Sequence, residues 1–114
     1  MKIEDIKALE ALPPSTLCRL IAFDRAQVVP GFIPKTFFLI VSGEKPWASM
    51  EVELVPLVFV QRPDYWGIEV IGCQRGIGLP VKVPYSVVLE ITHFLGKRGI
   101  EVIGANQKEK IKVP

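Results

Sequence analysis

A repeated hexamer constrains the fold of this chain more than any other feature. The sequence Gly-Ile-Glu-Val-Ile-Gly occurs at residues 67–72 and again at residues 99–104. Alternating apolar residues between glycines are typical of a strand, and the chain between the two copies contains a glycine-rich loop followed by a segment with helical periodicity. This order predicts a crossover unit, in which both hexamers are parallel strands of one sheet and the connection between them is right-handed.

A helix is predicted over residues 84–96, between the two hexamers. Pro84 stands at the first helical position, where proline is favoured. Val88, Ile91 and Leu95 follow it on one face and would form the buried stripe of an amphipathic helix.

The remaining segments are expected to pack on this unit. Residues 2–12 place apolar side chains three apart and predict a short amphipathic helix. Residues 36–42 are apolar on both faces, which predicts a strand covered on both sides, and residues 48–61 would pair with them in a central hairpin. Residues 29–34 contain two prolines and predict a surface loop with an apolar tip. Further strands are predicted at residues 16–25 and 65–74.

Together these elements predict a single α+β domain that spans residues 1–114. Its sheet would be mixed but mostly antiparallel, with about five strands, an N-terminal helix and one crossover helix. A chain of 114 residues is long enough to bury a hydrophobic core of its own.

The composition indicates a partner, because the chain has more apolar residues than a monomer of this size easily hides. Hydrophobic residues make up 49% of the chain and charged residues 23%, and the mean hydropathy is +0.33. We therefore expect a homo-oligomer, most simply a homodimer, or a complex with another protein. No apolar run approaches the roughly 20 residues that cross a bilayer, so a membrane partner is not expected.

The N-terminal sequence favours a cytoplasmic protein. Charged and apolar residues alternate from Met1 to Lys7, without the hydrophobic stretch of a secretory signal. Thiols are kept reduced in the cytoplasm, and Cys18 and Cys73 have neither redox-motif nor metal-ligand spacing. We therefore expect two buried thiols, no bound metal and no cofactor.

A candidate ligand site lies where the first hexamer strand is predicted to end. Arg75 and Lys82 are basic, Gly76 and Gly78 form the loop, and Ser86 lies in the first turn of the predicted helix. A helix N-terminus with basic side chains beside it suits a phosphate or a carboxylate. The loop lacks the third glycine of a dinucleotide-binding motif, and the alternative is an ordinary turn between strands.

Three aromatic residues, Trp47, Tyr65 and Trp66, are candidate interface anchors at predicted hairpin ends. Basic residues such as Lys45 and Arg62 are interleaved with them, a pattern also found in proteins that bind single-stranded nucleic acid. The net charge of +2 and the pI of about 8.6 fall short of a strongly basic footprint, which argues against nucleic acid. A protein interface is the favoured interpretation.

No set of residues predicts catalysis. His93 is the only histidine, and its neighbours on the predicted helix, Glu90 and Lys97, also suit an ordinary solvated helix. The sequence therefore favours a non-enzymatic protein-interaction module or small accessory subunit that self-associates. The alternative is a protein that binds a small anion, phosphate or carboxylate, with the glycine-rich loop and the N-terminus of the second helix.

Overall fold

The computed structural model of the protein describes residues 16–76 and 78–114. The helix predicted over residues 2–12 lies outside these ranges. Within them, the chain consists of strands and loops and contains no helix. The strands in chain order are β1 (Thr16–Leu20), β2 (Arg25–Pro30), β3 (Phe37–Lys45), β4 (Glu51–Pro56), β5 (Tyr65–Arg75), β6 (Val83–Glu90), β7 (Gly99–Ile103) and β8 (Lys108–Lys112).

The strands form two sheets around one core. In the larger sheet, β4 pairs with one edge of β5, while β7 and β1 share its other edge and β8 lies outside β7. The pairing of β5 with β7 is parallel and the others are antiparallel. The smaller sheet has the order β2-β3-β6 and is antiparallel throughout. Both sheets contribute to the fully buried side chains, which include Leu39, Val41, Ile68, Val70, Ile100 and Val102.

The predicted α+β fold is wrong, because the segment expected to be a helix begins as strand β6. Residues 84–96 have apolar positions that also fit a period of two: Tyr85, Val87 and Leu89 face the core. Aromatic and β-branched residues fit a pleated surface better than a helix. Pairing with β3 over the whole length of β6 then supplies the backbone hydrogen bonds that a helix would have made internally.

The hexamers do lie side by side as parallel strands, in β5 and β7. Their register is shifted by two residues, so that Gly67 lies beside Glu101 rather than beside Gly99. The chain between them passes through β6 of the other sheet instead of a helix. The predicted hairpin of residues 36–42 with residues 48–61 is wrong, because β3 and β4 belong to different sheets.

Two glycines of the second hexamer are required by close approach of the neighbouring chain. A Cβ atom at Gly99 would collide with the carbonyl oxygen of Ile111 on β8. A Cβ atom at Gly104 would lie 2.5 Å from the ring of Phe23. The hexamer therefore combines strand-forming residues with the small residues that this packing needs.

The chain crosses from the larger to the smaller sheet at residues 21–24, between β1 and β2. The N–H of Ile21 donates to the carbonyl of Val70 in the larger sheet at 3.0 Å. The N–H of Asp24 donates to the carbonyl of Ser42 in the smaller sheet at 2.9 Å. A strand that bends from one sheet into the other is a usual way to close the corner of a two-sheet core.

Phe23 is the anchor of this crossing segment, and its side chain is fully buried. The turn between β7 and β8 holds its backbone on both sides. Asn106 accepts a hydrogen bond from the Phe23 N–H at 3.2 Å and donates one to its carbonyl at 3.0 Å. Gln107 donates a second hydrogen bond to the same carbonyl at 2.9 Å. The crossing segment is thus fixed by a buried ring and by three side-chain hydrogen bonds.

The prediction that Cys18 and Cys73 are buried thiols is wrong, because the two residues form a disulfide. They lie directly opposite each other in the β1–β5 pairing, with 4.1 Å between their Cα atoms. Cys18 is exposed and Cys73 is half-buried. The bond joins positions 55 residues apart, and it links the start of the described chain to the central strand.

Tyr85 ties β6 to the crossing segment, and it makes stability depend on pH in the alkaline range. Its hydroxyl donates to the carbonyl of Ala22 at 2.7 Å. Burial, and to a lesser degree the charge of Asp24, raise the pKa of Tyr85 from 10.0 to about 12. The unfolded chain therefore loses the phenol proton first as pH rises, and the folded state holds it longer.

We expect the free energy of unfolding to fall as pH rises from about 10 to 12, by an amount on the order of 2 kcal/mol from this group. The stabilisation from Tyr85 is fully present below pH 10, where the phenol keeps its proton in both the folded and the unfolded protein. Denaturant unfolding of the native protein and of Tyr85→Phe at each end of this range measures it. The difference in stability between the two proteins should change with pH, and an unchanged difference would contradict the role of Tyr85.

Candidate functional site

The structure does not gather the predicted anion-binding residues into one site. Arg75 is the exposed last residue of β5, and Ser86 lies exposed on β6. Lys82 lines a cleft beside the crossing segment. The helix N-terminus on which the predicted site depended does not form, because residues 84–90 belong to β6. The ligand assignment thus loses its main support and stays a prediction.

The two predicted loop glycines have structural roles in the structure. Gly76 adopts a positive φ of 64° where β5 turns into the loop. Gly78 packs closely on the Gln74 and Ser49 side chains, which hydrogen-bond to each other. These contacts agree with the alternative of an ordinary turn.

The cleft that includes Lys82 has a volume of about 440 Å³. Arg19 and Lys82 line it together with Asp24 and Glu44, so both signs of charge are present. The guanidinium carbon of Arg19 also lies 5.5 Å from the centre of the Trp47 ring, within range of a cation–π contact. Arg19 was not recognised from the sequence, because only the β1–β5 pairing brings it to the cleft.

The three predicted interface aromatics are all half-buried and make contacts within the chain. The Trp66 indole N–H donates to the carbonyl of Leu57 at 2.9 Å, and the ring packs edge-on against Phe59 and Phe94 at 5.3 and 5.9 Å. The ammonium nitrogen of Lys110 lies over the Tyr65 ring, 5.2 Å from the ring centre. The Trp47 ring makes the cation–π contact with Arg19. These contacts hold the rings in the domain, and the interface assignment stays a prediction.

The smaller sheet carries an apolar patch on the side away from the core. Because Leu39 and Val41 are fully buried, the alternate residues Phe38 and Ile40 face outward on β3. Ile40 lies directly beside Val88 of β6, and Phe38 lies directly beside Val29 of β2. We call these four residues the outer face. The sequence predicted a strand covered on both sides. In the described chain the inner side is fully buried, whereas on the outer face Val29, Phe38 and Ile40 are half-buried and Val88 is 60% exposed.

A second apolar region lies at the tips of two loops. Phe32 and Ile33, in the turn between β2 and β3, are 109% and 70% exposed. Val58 and Val60, in the loop between β4 and β5, are 96% and 104% exposed. We call these four residues the apolar tips, and the loops 31–36, 57–64 and 91–98 together the loop end. The two prolines at residues 30 and 34 were the sequence signal for the first tip, and the second tip was missed because residues 48–61 were assigned to a strand.

The structure does not assemble a recognisable catalytic or metal-binding set from the described residues. His93 lies exposed in the turn after β6 rather than on a helix. Across residues 16–76 and 78–114, no group of three or more His, Cys, Asp and Glu side chains is placed to hold a metal ion. In the same part of the chain, no helix has the length and apolar character needed to cross a membrane.

Three surface features are therefore candidates for function: the outer face, the loop end and the charged cleft. The first two are apolar and suit macromolecular contacts, whereas the third suits a small charged molecule. Comparison of the chain with protein-family models, with curated proteins and with solved structures found no match in any of the three.

Proposed function

We propose that the protein is a non-enzymatic interaction module that self-associates through the outer face. The observation that carries the proposal is the outer side of β3, where the half-buried Phe38 lies between Val29 and Glu90. The half-buried Ile40 lies between Gln27 and Val88 on the same side. Apolar sheet faces are covered in stable folds by a second layer about 10 Å away. A second copy of the chain supplies such a layer, because an interface with two-fold symmetry is self-complementary.

The border of the outer face is compatible with a second copy. Arg25 lies beside Ser42 at one end of the patch, and Glu44 lies two residues further along β3. Glu90 of β6 lies directly beside Phe38. Both signs of charge are thus present, so two copies can be arranged without like charges facing each other. The high apolar content of the chain supports the same proposal, because a dimer hides surface that a monomer exposes.

Self-association is tested by sedimentation velocity over a range of protein concentrations. We expect a concentration-dependent dimer in the native protein. Ile40→Thr and Val88→Thr keep strand-forming residues but remove apolar contact, and each should raise the dimer dissociation constant about tenfold.

Leu79→Thr is the matched control, because Leu79 is an exposed apolar residue outside the outer face. It should leave the dissociation constant unchanged. A native protein that stays monomeric at every concentration would exclude the proposal. A dimer that Ile40→Thr and Val88→Thr do not weaken would exclude this surface.

The charged cleft supports a second candidate function, the binding of a small phosphate or carboxylate. Lys82 and Arg19 line the cleft and could neutralise such an anion. Asp24 and Glu44 line it as well, and their carboxylates oppose a simple anion. This mixture of charges makes the cleft a weaker basis for function than the outer face.

The expected cytoplasmic location is tested by the redox state of the two cysteines in the cell. A cytoplasmic location implies that Cys18 and Cys73 are thiols in the cell, whereas the disulfide is the form expected in an oxidising compartment. Rapid acid quenching of cells followed by alkylation distinguishes the two. Two alkylated cysteines would support the cytoplasm, and none would support an oxidising compartment.

A further inference from the structure

We propose that the loop end docks on an anionic lipid surface. In this arrangement the apolar tips enter the bilayer interface, and the basic side chains around them face the headgroups. The proposal goes beyond self-association, because it uses a different surface from the outer face. No segment has to cross the membrane for such a contact.

Backbone hydrogen bonds place the three loops at the same end of the molecule. The N–H of Ile91 donates to the carbonyl of Phe37 at 2.9 Å, which ties loop 91–98 to the first residue of β3, directly after the β2–β3 turn. The N–H of Lys97 donates to the carbonyl of Pro63 at 2.8 Å, which ties the same loop to the β4–β5 loop. The two apolar tips are therefore presented by loops that are bonded to one common neighbour.

The tip at Val58 and Val60 is supported from behind by side-chain contacts. Phe59 lies between Val58 and Val60 in sequence and packs on the Trp66 ring at 5.3 Å. The side chain of Arg62 donates to the carbonyls of Leu95 and Gly96 at 2.8 and 3.0 Å, which joins the two loops again. Exposed apolar side chains on such a supported loop gain free energy when they leave water for a lipid interface.

Charge complementarity identifies the surface as anionic. The loop end carries the exposed basic residues Lys35, Arg62, Lys97 and Arg98, and Lys112 of β8 lies at its border beside Gly99. Among the residues of these three loops Asp64 is the one carboxylate, and Glu90 lies at their border as the last residue of β6. Each basic residue held near an anionic membrane raises binding about fivefold, and salt screens the effect.

The same basic residues disfavour a contact between the loop ends of two copies of the chain. Two loop ends placed head to head would bring basic residues against basic residues, and such like-charge contacts are unfavourable. An anionic bilayer offers the opposite charge together with an apolar layer for the tips.

The test is co-sedimentation of the full chain with large vesicles. One set contains phosphatidylcholine alone, and the other contains phosphatidylcholine and phosphatidylglycerol in equal parts. We expect binding to the anionic vesicles, weakening with salt. Phe32→Ser combined with Val60→Ser should reduce this binding about tenfold or more. Arg98→Ser should reduce it about fivefold.

Leu79→Ser is the control for general loss of apolar surface, and it should bind as the native protein does. Equal binding to both vesicle sets, or binding that persists in the Phe32→Ser, Val60→Ser protein, would overturn the proposal. Loss of binding on addition of inorganic phosphate at unchanged ionic strength would show a site for free phosphate instead of a lipid surface. A change in sedimentation of the tip variant without vesicles would show a contact between copies, and it too would overturn the proposal. Dimer formation through Ile40 and Val88 is measured separately and does not depend on these results.

Discussion

Replacing Phe23 with alanine is expected to lower the free energy of unfolding by about 3 to 5 kcal/mol. The ring is fully buried at the point where the chain passes between the sheets, and Gly104 packs directly against it. Its removal leaves a cavity, and the hydrogen bonds between the Phe23 backbone and the side chains of Asn106 and Gln107 oppose collapse of the segment into it. Urea unfolding followed by circular dichroism measures the effect.

Phe32→Ala is a matched control, because it removes the same ring from a fully exposed position. Its effect on stability should stay within about 0.5 kcal/mol. Equal effects of the two substitutions would show that the crossing segment does not organise the core as described.

Reduction of the disulfide is expected to lower the free energy of unfolding by about 4 kcal/mol. The bond closes a loop of 55 residues, and this value follows from the restriction that such a loop places on the unfolded chain. Unfolding of the native protein with and without a reductant measures the difference. The double variant Cys18→Ala, Cys73→Ala should resemble the reduced protein and should not respond to the reductant.

Mass spectrometry after alkylation without reduction provides the direct check on this bond. A folded protein with the disulfide takes up no alkylating agent. Two alkylated cysteines in the unreduced, unfolded protein would contradict the Cys18–Cys73 pairing.

The local strand pattern of the sequence was more informative than its helical pattern. Residues 65–74 and the two hexamers alternate apolar positions between glycines, and β5 and β7 pair in parallel as expected. The segment after Pro84 was misassigned because Val88 and Ile91 fit a helical stripe, while Tyr85, Val87 and Leu89 fit a strand equally well. Whether a short apolar segment of this kind forms a helix or a strand depends on its pairing partner, here β3. The local periodicity of the segment does not identify that partner.

The candidate surfaces, too, could be recognised only after the strands distant in sequence were paired. The two apolar sides of residues 36–42 were visible in the sequence, but the side that stays partly exposed could be found only once β2 and β6 were placed beside β3. The disulfide and the contribution of Arg19 to the cleft both follow from the pairing of β1 with β5. The tip at Phe32 was found in advance because the two prolines predicted a loop over residues 29–34, although Pro30 is the last residue of β2 and pairs with Phe37.

Self-association through the outer face is tested most directly by amide NMR spectra recorded on serial dilution. The proposal predicts concentration-dependent shifts that centre on Val29, Phe38, Ile40 and Val88, with little change at Leu79 or in β8. Shifts centred on other residues, or spectra that do not change with concentration, would contradict it.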